Sequence, residues 1–427
     1  MRYQNFILVF LVSGFVSAIE AGESPVVQEL EGSGAITLRQ AVALALVHHP
    51  DLSVFSQDIR IAEARRIQAK LPPNPTIDLT VHDVAGSGEY NGTERAESTL
   101  ELAQVLELGG KRRARTRAAL KGRQLAQWDF ETKRLEVATR TASAFVDLLG
   151  VQRRLVMARE TLTLAEKFAP VARERVEAGR ASPLEVARAN VATSTARIAV
   201  EQQEGQLAVA RKRLAACWGS TNPRFSDAIG NLDRVRQLPA LSAATRQLQN
   251  NPQLARRGTE LEQREAQLAH EKSKVWPDLT LSGGPRRYEQ SGDTAAVFGF
   301  SLPLPLLNRN QGGIAEARAQ IEKTQNQQRA TEVQLTTALA IAYEELEDAF
   351  IQITEYRKSV LPQVEEAYRL SNEGYEAGRF GYLEVLDARR SAAEARSQYL
   401  DALIRYHKAV AEIEGLTGQA LTSTLSQ

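Results

Sequence analysis

The chain has 427 residues, and 53 Lys and Arg residues against 52 Asp and Glu residues give it a formal net charge of +1. A protein without a global positive field has no general means of attracting a polyphosphate, so we expect no binding to nucleic acid. The single cysteine, Cys217, excludes an internal disulfide and a site built from several thiolates. With only 27 Gly and 15 Pro residues, turns are few, and we expect long secondary-structure elements.

Residues 1–18 have the pattern of a secretory signal peptide. Arg2 precedes an apolar stretch from Phe6 to Val16, and small residues follow at Ser17 and Ala18, which is the order that a signal peptidase recognises. The alternative is an N-terminal membrane anchor, but about 11 apolar residues are too few to cross a hydrocarbon core of ~30 Å. We expect cleavage after Ala18.

The sequence repeats itself at an interval of about 200 residues. The segment Glu-Ala-Gly-Arg at 177–180 recurs at 376–379, and two further pairs of segments match at nearly the same interval and in the same order. Such matches indicate an internal duplication. We predict two copies of one unit, a first copy at 36–219 and a second copy at 240–418, joined by a linker at 220–239.

Each copy begins with two predicted helices. The first is short, with Thr37 in the first copy and Ser242 in the second copy near its start as the expected N-cap residue. The second helix is longer, at 50–71 in the first copy and at 252–275 in the second copy. Prolines follow both longer helices and force the chain into an extended conformation.

Two strands follow in each copy, because apolar and polar residues alternate there. They are predicted at 76–84 and 98–106 in the first copy, and at 278–286 and 295–304 in the second copy. Each has about nine residues, the length of one tilted membrane strand. Four strands cannot enclose a pore, and hydrocarbon does not tolerate a free sheet edge. We therefore expect three protomers to pool twelve strands.

A coiled-coil hairpin follows the strands in each copy, at about 111–218 and 314–416. Its first helix contains almost no breaker, and more than 60 residues make a rod of roughly 90–100 Å. Apolar or small residues at spacings of three and four form a seam along the rod. The returning helix has only about 36 residues, so part of the seam is left uncovered. The helices at 50–71 and 252–275 have the length to cover it if they stack end to end on the returning helices.

The residues predict a fold that is mainly α with a small β part, whose strands are pooled in a homotrimer. From Thr37 to Gly418 the chain resembles the TolC-like outer-membrane efflux family, and this resemblance implies a long α-helical coiled-coil barrel joined to a membrane β-barrel. The segments at 71–75, 106–112 and 303–312 resemble the cobalt–zinc–cadmium resistance branch of that family.

The resemblance implies a location in the outer membrane with a long periplasmic portion. It implies the exit duct of a tripartite, proton-driven efflux pump that exports heavy-metal cations such as cobalt, zinc or cadmium. The implied partners are two further copies of the chain, a periplasmic adaptor (membrane fusion) protein, an inner-membrane resistance-nodulation-division transporter and outer-membrane lipid.

Other functions stay open at this point. An outer-membrane duct for drugs, other organic solutes or type I secretion would have the same architecture. A periplasmic adaptor carries one coiled-coil hairpin rather than two, and a purely structural coiled coil would not need the alternating apolar residues Phe298, Phe300 and Leu302. No carboxylate belongs to a constellation with His, Ser or Cys, so we expect no enzyme, no catalytic residue, no cofactor and no bound metal.

The resemblance assigns roles near the two hairpin turns. In the family these turns form the periplasmic tip where the adaptor docks, which implies docking roles for Gly179, Arg180, Gly378 and Arg379. Phe380 stands where the family has a basic residue that helps to close the channel, and Arg379 is the nearest alternative.

The family also has a gate at this tip. Tyr375 matches a tyrosine of the constriction, and Glu185 matches the acidic residue that bonds to it. Glu384 and Asp387 match two acidic positions that form rings around the entrance in the trimer. Without the resemblance, two carboxylates one helical turn apart are more often part of a solvated helix face.

Two further clusters have ordinary interpretations. His48 and His49 precede Pro50 without a third ligand nearby, so we expect a helix terminus rather than a metal site. The basic run at 111–117 is expected to be a collar at the periplasmic membrane interface rather than a nucleic-acid patch.

Overall fold

A computed structural model describes residues 34–236 and 240–418, so the predicted signal peptide lies outside the described residues. The nine α-helices of the described ranges are α1 (Leu38–His48), α2 (Pro50–Lys70), α3 (Lys111–Glu177), α4 (Pro183–Ala216), α5 (Leu241–Gln247), α6 (Pro252–Ser273), α7 (Gln311–Glu355), α8 (Leu361–Glu376) and α9 (Tyr382–Thr417). The strands there are β1 (Ile36–Thr37), β2 (Thr76–His82), β3 (Glu97–Leu106), β4 (Ala228–Ile229), β5 (Leu279–Tyr288) and β6 (Thr294–Ser301). The fold is thus mainly α with a small β part, as predicted.

Four strands form one antiparallel sheet in the order β2-β3-β5-β6. Two predicted strands were too long. β2 ends at His82 because Asp83 adopts a left-handed conformation with φ of 59°, and β6 ends at Ser301 because Pro303 has no N–H to donate to a ladder. The outer edges of β2 and β6 are unpaired within the described chain, and their apolar side chains are exposed.

The shorter helices stack end to end on the returning helices, as predicted. Asn251 joins α9 to α6, since its Oδ1 accepts from the Gln253 amide (2.8 Å) and its Nδ2 donates to the Leu416 carbonyl (2.8 Å). In the first copy, Gly219 at the end of α4 packs against Pro50, the first residue of α2. α2 and α4 lie along α3, and α6 and α9 lie along α7 and also pack against α3.

The predicted N-cap residue is correct for α1 and wrong for α5. Thr37 caps α1 in a capping box with Gln40, as expected. The prediction for Ser242 was wrong, because Ala240 is the N-cap residue of α5 and Ser242 lies inside the first turn. His49 ends α1 and caps α2 through Nδ1, which accepts from the Asp51 amide at 3.1 Å.

The long helix of the second copy is interrupted. The sequence predicts one continuous helix, but a π-helical turn at Tyr356–Val360 separates α7 from α8. Pro362 explains the interruption, because it has no N–H for the Lys358 carbonyl and its ring would collide with that carbonyl in a regular helix. Pro170 lies inside α3, which continues past it to Glu177.

The predicted linker is packed rather than a free tether. Its strand β4 pairs in parallel with β1 at the start of the described chain, and Phe225 and Leu232 are buried in the main hydrophobic core. Several contacts tie it to α9, among them those of Tyr399 and His407. The Tyr399 hydroxyl lies 2.9 Å from Asp233 Oδ1, and His407 Nε2 lies 2.8 Å from the Leu232 carbonyl oxygen.

The main core lies where both hairpins meet this linker, around Phe145, Leu148, Leu339 and Leu403. At the other end of α3, Lys111 of the basic run forms an ion pair with Asp278 beside the sheet, with Nζ 2.6 Å from Oδ1. None of the helices in the described ranges is both long and apolar enough to cross a bilayer.

The buried His407 should make the stability of the protein dependent on pH. Burial lowers the pKa of His407 below its ordinary value of 6.5, an effect that the Leu232 carbonyl and Asp233 only partly offset. Because the unfolded chain then binds a proton that the folded chain does not, stability is complete above about pH 6.5 and is lost as the pH falls through the lowered pKa.

Thermal unfolding between pH 8 and pH 5 measures this loss. His407→Gln keeps a donor for the Leu232 carbonyl but cannot titrate, so its melting temperature should depend less on pH than that of the wild type. His82→Gln, at an exposed position of β2, should leave the pH dependence unchanged. Equal slopes for the wild type and His407→Gln would contradict the prediction.

Candidate functional site

Both hairpins turn through the same backbone motif at the tip. Gly179 and Gly378 adopt φ values of +67° and +73°, which only glycine adopts without strain. Amide-to-carbonyl hydrogen bonds of the Schellman motif close both turns: Gly179 to Val176 (2.9 Å), Arg180 to Arg175 (2.8 Å), Gly378 to Tyr375 (3.0 Å) and Arg379 to Gly374 (2.8 Å). A Cβ at Gly179 or Gly378 would meet no atom within 4 Å. The turns are therefore exposed and have free space beside them.

The two turns lead differently into the returning helices. After the first turn, the Ser182 hydroxyl caps α4 by accepting from the Leu184 amide at 3.3 Å. After the second turn, no side chain caps α9. Instead, Phe380 folds back onto Gly374, where a Cβ would overlap the phenyl ring. Phe380 therefore packs within its own hairpin.

A small hydrophobic cluster joins the two hairpins just behind the turns. This tip cluster consists of Phe168, Ala172, Ala189, Tyr375, Tyr382 and Val385. The rings of Tyr375 and Tyr382 lie 6.2 Å apart, and Phe168 lies 6.0 Å and 6.3 Å from them. Tyr375 is completely buried, although it lies only three residues from the exposed turn.

Tyr375 contacts Glu185, as the resemblance implies. The Tyr375 hydroxyl donates to Glu185 Oε2 at 3.4 Å, between α8 of the second copy and α4 of the first copy. Burial raises the pKa of Tyr375 and the Glu185 carboxylate raises it further, while Arg175 acts in the opposite direction. The phenol is therefore protonated at neutral pH and acts as the donor.

Sequence reasoning missed the second polar contact of Tyr375, which involves Arg175. The guanidinium carbon of Arg175 lies 4.1 Å from the centre of the Tyr375 ring, and Nη1 donates to the Tyr375 carbonyl at 2.6 Å. The suggested alternative, Arg379, is exposed and engages the turn through its backbone amide. A comparison of the two copies could have singled out Arg175. The equivalent position in the second copy is Gly374, which has no side chain, so the arginine is particular to the first copy.

Glu384 and Asp387 lie apart from this cluster on the exposed face of α9. Within the described part of the chain, neither carboxylate is in an ion pair. Asp387 lines an open groove of about 940 Å³ between α4 and α9, together with Arg188, Arg389 and Arg390. The structure thus joins Glu185 to Tyr375 and leaves the other two acidic residues free.

The described residues contain no group of three or more His, Cys, Asp or Glu side chains placed to hold a metal ion. Cys217 is buried at the end of α4, and burial raises the pKa of its thiol. His49 serves as the cap of α2 described above. The tip can therefore hold two hairpins together and present carboxylates to solvent.

Comparisons with known proteins agree with this architecture. A family model described as outer membrane efflux protein matches residues 41–220 and 244–419. The cobalt-zinc-cadmium resistance protein CzcC of Cupriavidus metallidurans is 33% identical over 414 residues, which cover 96% of this chain and 97% of that protein. The nickel-cobalt-cadmium resistance protein NccC of Alcaligenes xylosoxydans xylosoxydans is 26% identical over 325 residues, 76% of this chain and 71% of that protein.

A solved structure has the same fold. A membrane protein from Pseudomonas aeruginosa superposes with a TM-score of 0.78 over 90% of each chain, at 21% sequence identity. The family model matches most of the chain in two ranges, each of which contains one coiled-coil hairpin. As the sequence motifs predicted, the chain belongs to the outer membrane efflux protein family.

Proposed function

We propose that this chain is the outer-membrane exit duct of a tripartite pump that exports divalent heavy-metal cations such as cobalt, zinc or cadmium. The observation that carries the proposal is the duplicated long hairpin on a sheet whose two outer edges are unpaired within the described residues. Membership of the family supports the duct and its location in the outer membrane. Similarity over 96% of the chain to a protein named for cobalt, zinc and cadmium resistance supports the class of substrate.

The sheet geometry supports a homotrimer. Neighbouring strands alternate in direction across β2-β3-β5-β6, so the two edge strands run in opposite directions. β6 of one protomer can therefore pair antiparallel with β2 of the next, and three sheets close into twelve strands. The edge strands carry highly exposed apolar side chains, which suit contact with lipid: Ile77, Leu79, Phe298 and Phe300.

The tip geometry supports docking of a periplasmic adaptor, with an inner-membrane transporter of the resistance-nodulation-division type behind it. Both turns are exposed, and each carries an arginine whose side chain is exposed, Arg180 and Arg379. A coiled-coil hairpin of the adaptor can contact each turn end to end, because Gly179 and Gly378 have free space beside them.

The acidic residues suit a ring of carboxylates more than a contact that holds the coils shut. Glu384 is the counterpart of Glu185, which meets Tyr375 across two helices. The position that matches Tyr375 in the first copy is Val176, which has no side-chain donor. In a trimer, Glu384 therefore lacks this phenol partner, and with Asp387 it forms a mouth that attracts cations.

The duct itself predicts channel behaviour and metal resistance. The full chain should purify as a detergent-stable trimer, stay in the membrane on carbonate extraction and conduct ions in planar bilayers. A deletion strain should become sensitive to zinc, cobalt or cadmium. Sensitivity to organic toxicants alone, or loss of type I secretion, would instead favour a duct for those substrates. A soluble monomer without conductance would point to an adaptor or a structural coiled coil.

Replacing Glu384 and Asp387 together by alanine tests the acidic mouth. Because six carboxylates disappear from the trimer, cation selectivity and block by multivalent cations should fall, while closed-state conductance should change little. The matched control is the pair Glu174→Ala and Glu177→Ala, which has the same spacing on the exposed face of α3. Recordings in planar bilayers measure the cation selectivity, the block and the closed-state conductance of each variant. A sharp rise in closed-state conductance would show that the two carboxylates hold the coils shut.

Replacing Gly179 and Gly378 by valine tests docking. A β-branched residue at positive φ costs about 1–2 kcal/mol at each turn and fills the space beside it. Metal resistance should fall while the yield of the trimer stays the same. Gly205→Val, inside α4 where a Cβ meets no atom within 4 Å, is the control. Resistance equal to that of the wild type in the double variant would remove the turns from the docking surface.

A further inference from the structure

Arg175 belongs to both hairpin turns at once. Its backbone carbonyl accepts the Arg180 amide that closes the first turn. Its guanidinium donates to the carbonyl of Tyr375 at 2.6 Å, and that carbonyl also accepts the Gly378 amide that closes the second turn. One side chain therefore connects the two turns, and neither turn can shift without stretching this contact.

Arg175 and Glu185 hold Tyr375 from two sides. Both come from the first copy, Arg175 from the end of α3 and Glu185 from the start of α4, while Tyr375 comes from the second copy. Near the tip, the buried residues that α3 and α4 contribute to the seam are mainly alanines, Ala165, Ala172, Ala189 and Ala196. Alanine buries little apolar area. Apart from Phe168, the first copy therefore contributes little apolar area at the tip, and the polar contacts of Tyr375 matter more there than in the main core.

The contact is also easy to break. Within the described residues, Arg175 has no ion pair, and its buried Nε has no hydrogen-bond partner. Its guanidinium contacts a carbonyl oxygen and the face of an aromatic ring. Both contacts can be exchanged for water without leaving a carboxylate buried and unpaired. This suits a contact that must open and close.

We propose that Arg175 is a latch that holds the tip of the channel closed by joining the two hairpin turns. In the closed channel it fastens the second hairpin of a protomer to the first, and a partner that displaces either turn pulls this contact apart. The proposal rests on the function proposed above. It differs from the acidic mouth because it assigns closure to Arg175 and cation attraction to Glu384 and Asp387.

Arg175→Gln in the full-length trimer tests the latch in planar bilayers. The open fraction, which is the fraction of time that the channel conducts, should rise about tenfold. This is the change expected when one charge-assisted hydrogen bond is lost. Arg173→Gln, with the same loss of charge at an exposed position two residues away, should behave like the wild type. Arg175→Lys keeps the charge and one donor, so its open fraction should lie between those of Arg175→Gln and the wild type.

Hydrogen exchange of the trimer in detergent provides a measurement that needs no conductance. The amides of Gly378 and Arg379 should exchange faster in Arg175→Gln than in Arg173→Gln, because the second turn has lost its support. Tyr375→Leu removes the ring face but keeps the carbonyl that accepts from Arg175, so the effects of the two variants on the open fraction should add only in part.

The possible results of these experiments distinguish a failure of the latch proposal from a failure of the proposed duct. A trimer of Arg175→Gln that conducts with the open fraction and exchange rates of the wild type would overturn the latch and leave the duct intact. A wild-type protein that never conducts would overturn the duct, and the exchange rates would still decide whether Arg175 holds the second turn. If Arg175→Gln does not assemble, Arg175→Lys supplies both measurements.

Discussion

The apolar seam of the two long helices is the constraint on which the rest of the structure depends. α3 has 67 residues, about 100 Å of rod, and neither returning helix is long enough to cover such a seam. The chain covers the remainder with α2 and α6, which precede the strands in sequence but continue the returning helices in space. The sheet must consequently be inserted between a covering helix and the rod that it covers.

This arrangement leaves backbone groups without helical partners at the two helix junctions. Where α9 meets α6, one helix ends with unpaired carbonyls and the next begins with unpaired amides. Asn251 satisfies one group of each kind with a single side chain. The first copy solves the same problem with His49 as the cap and with Gly219 against Pro50. The junctions thus need small residues or residues with a capping side chain where a continuous helix would need none.

Features set by local spacing could be predicted from the sequence. The alternation of apolar residues gave the four strands to within three residues, and the repeated Glu-Ala-Gly-Arg segment gave both Schellman turns. Features that depend on partners distant in sequence could not be predicted. The packed linker depends on α9, and the role of Arg175 depends on a carbonyl 200 residues away. The prediction that Ser242 caps α5 was wrong because several residues near a helix start can take the N-cap position.

The two copies differ in the half of the hairpins nearest the tip. The π-helical turn at Tyr356–Val360 has no equivalent in α3, Arg175 faces a carbonyl while its counterpart is Gly374, and Tyr375 replaces Val176. In the proposed trimer, six similar hairpins would surround the axis with approximate sixfold symmetry near the main core. Towards the tip this symmetry falls to threefold. The tunnel wall can therefore stay uniform and rigid, while alternate hairpins at the mouth differ enough to move separately.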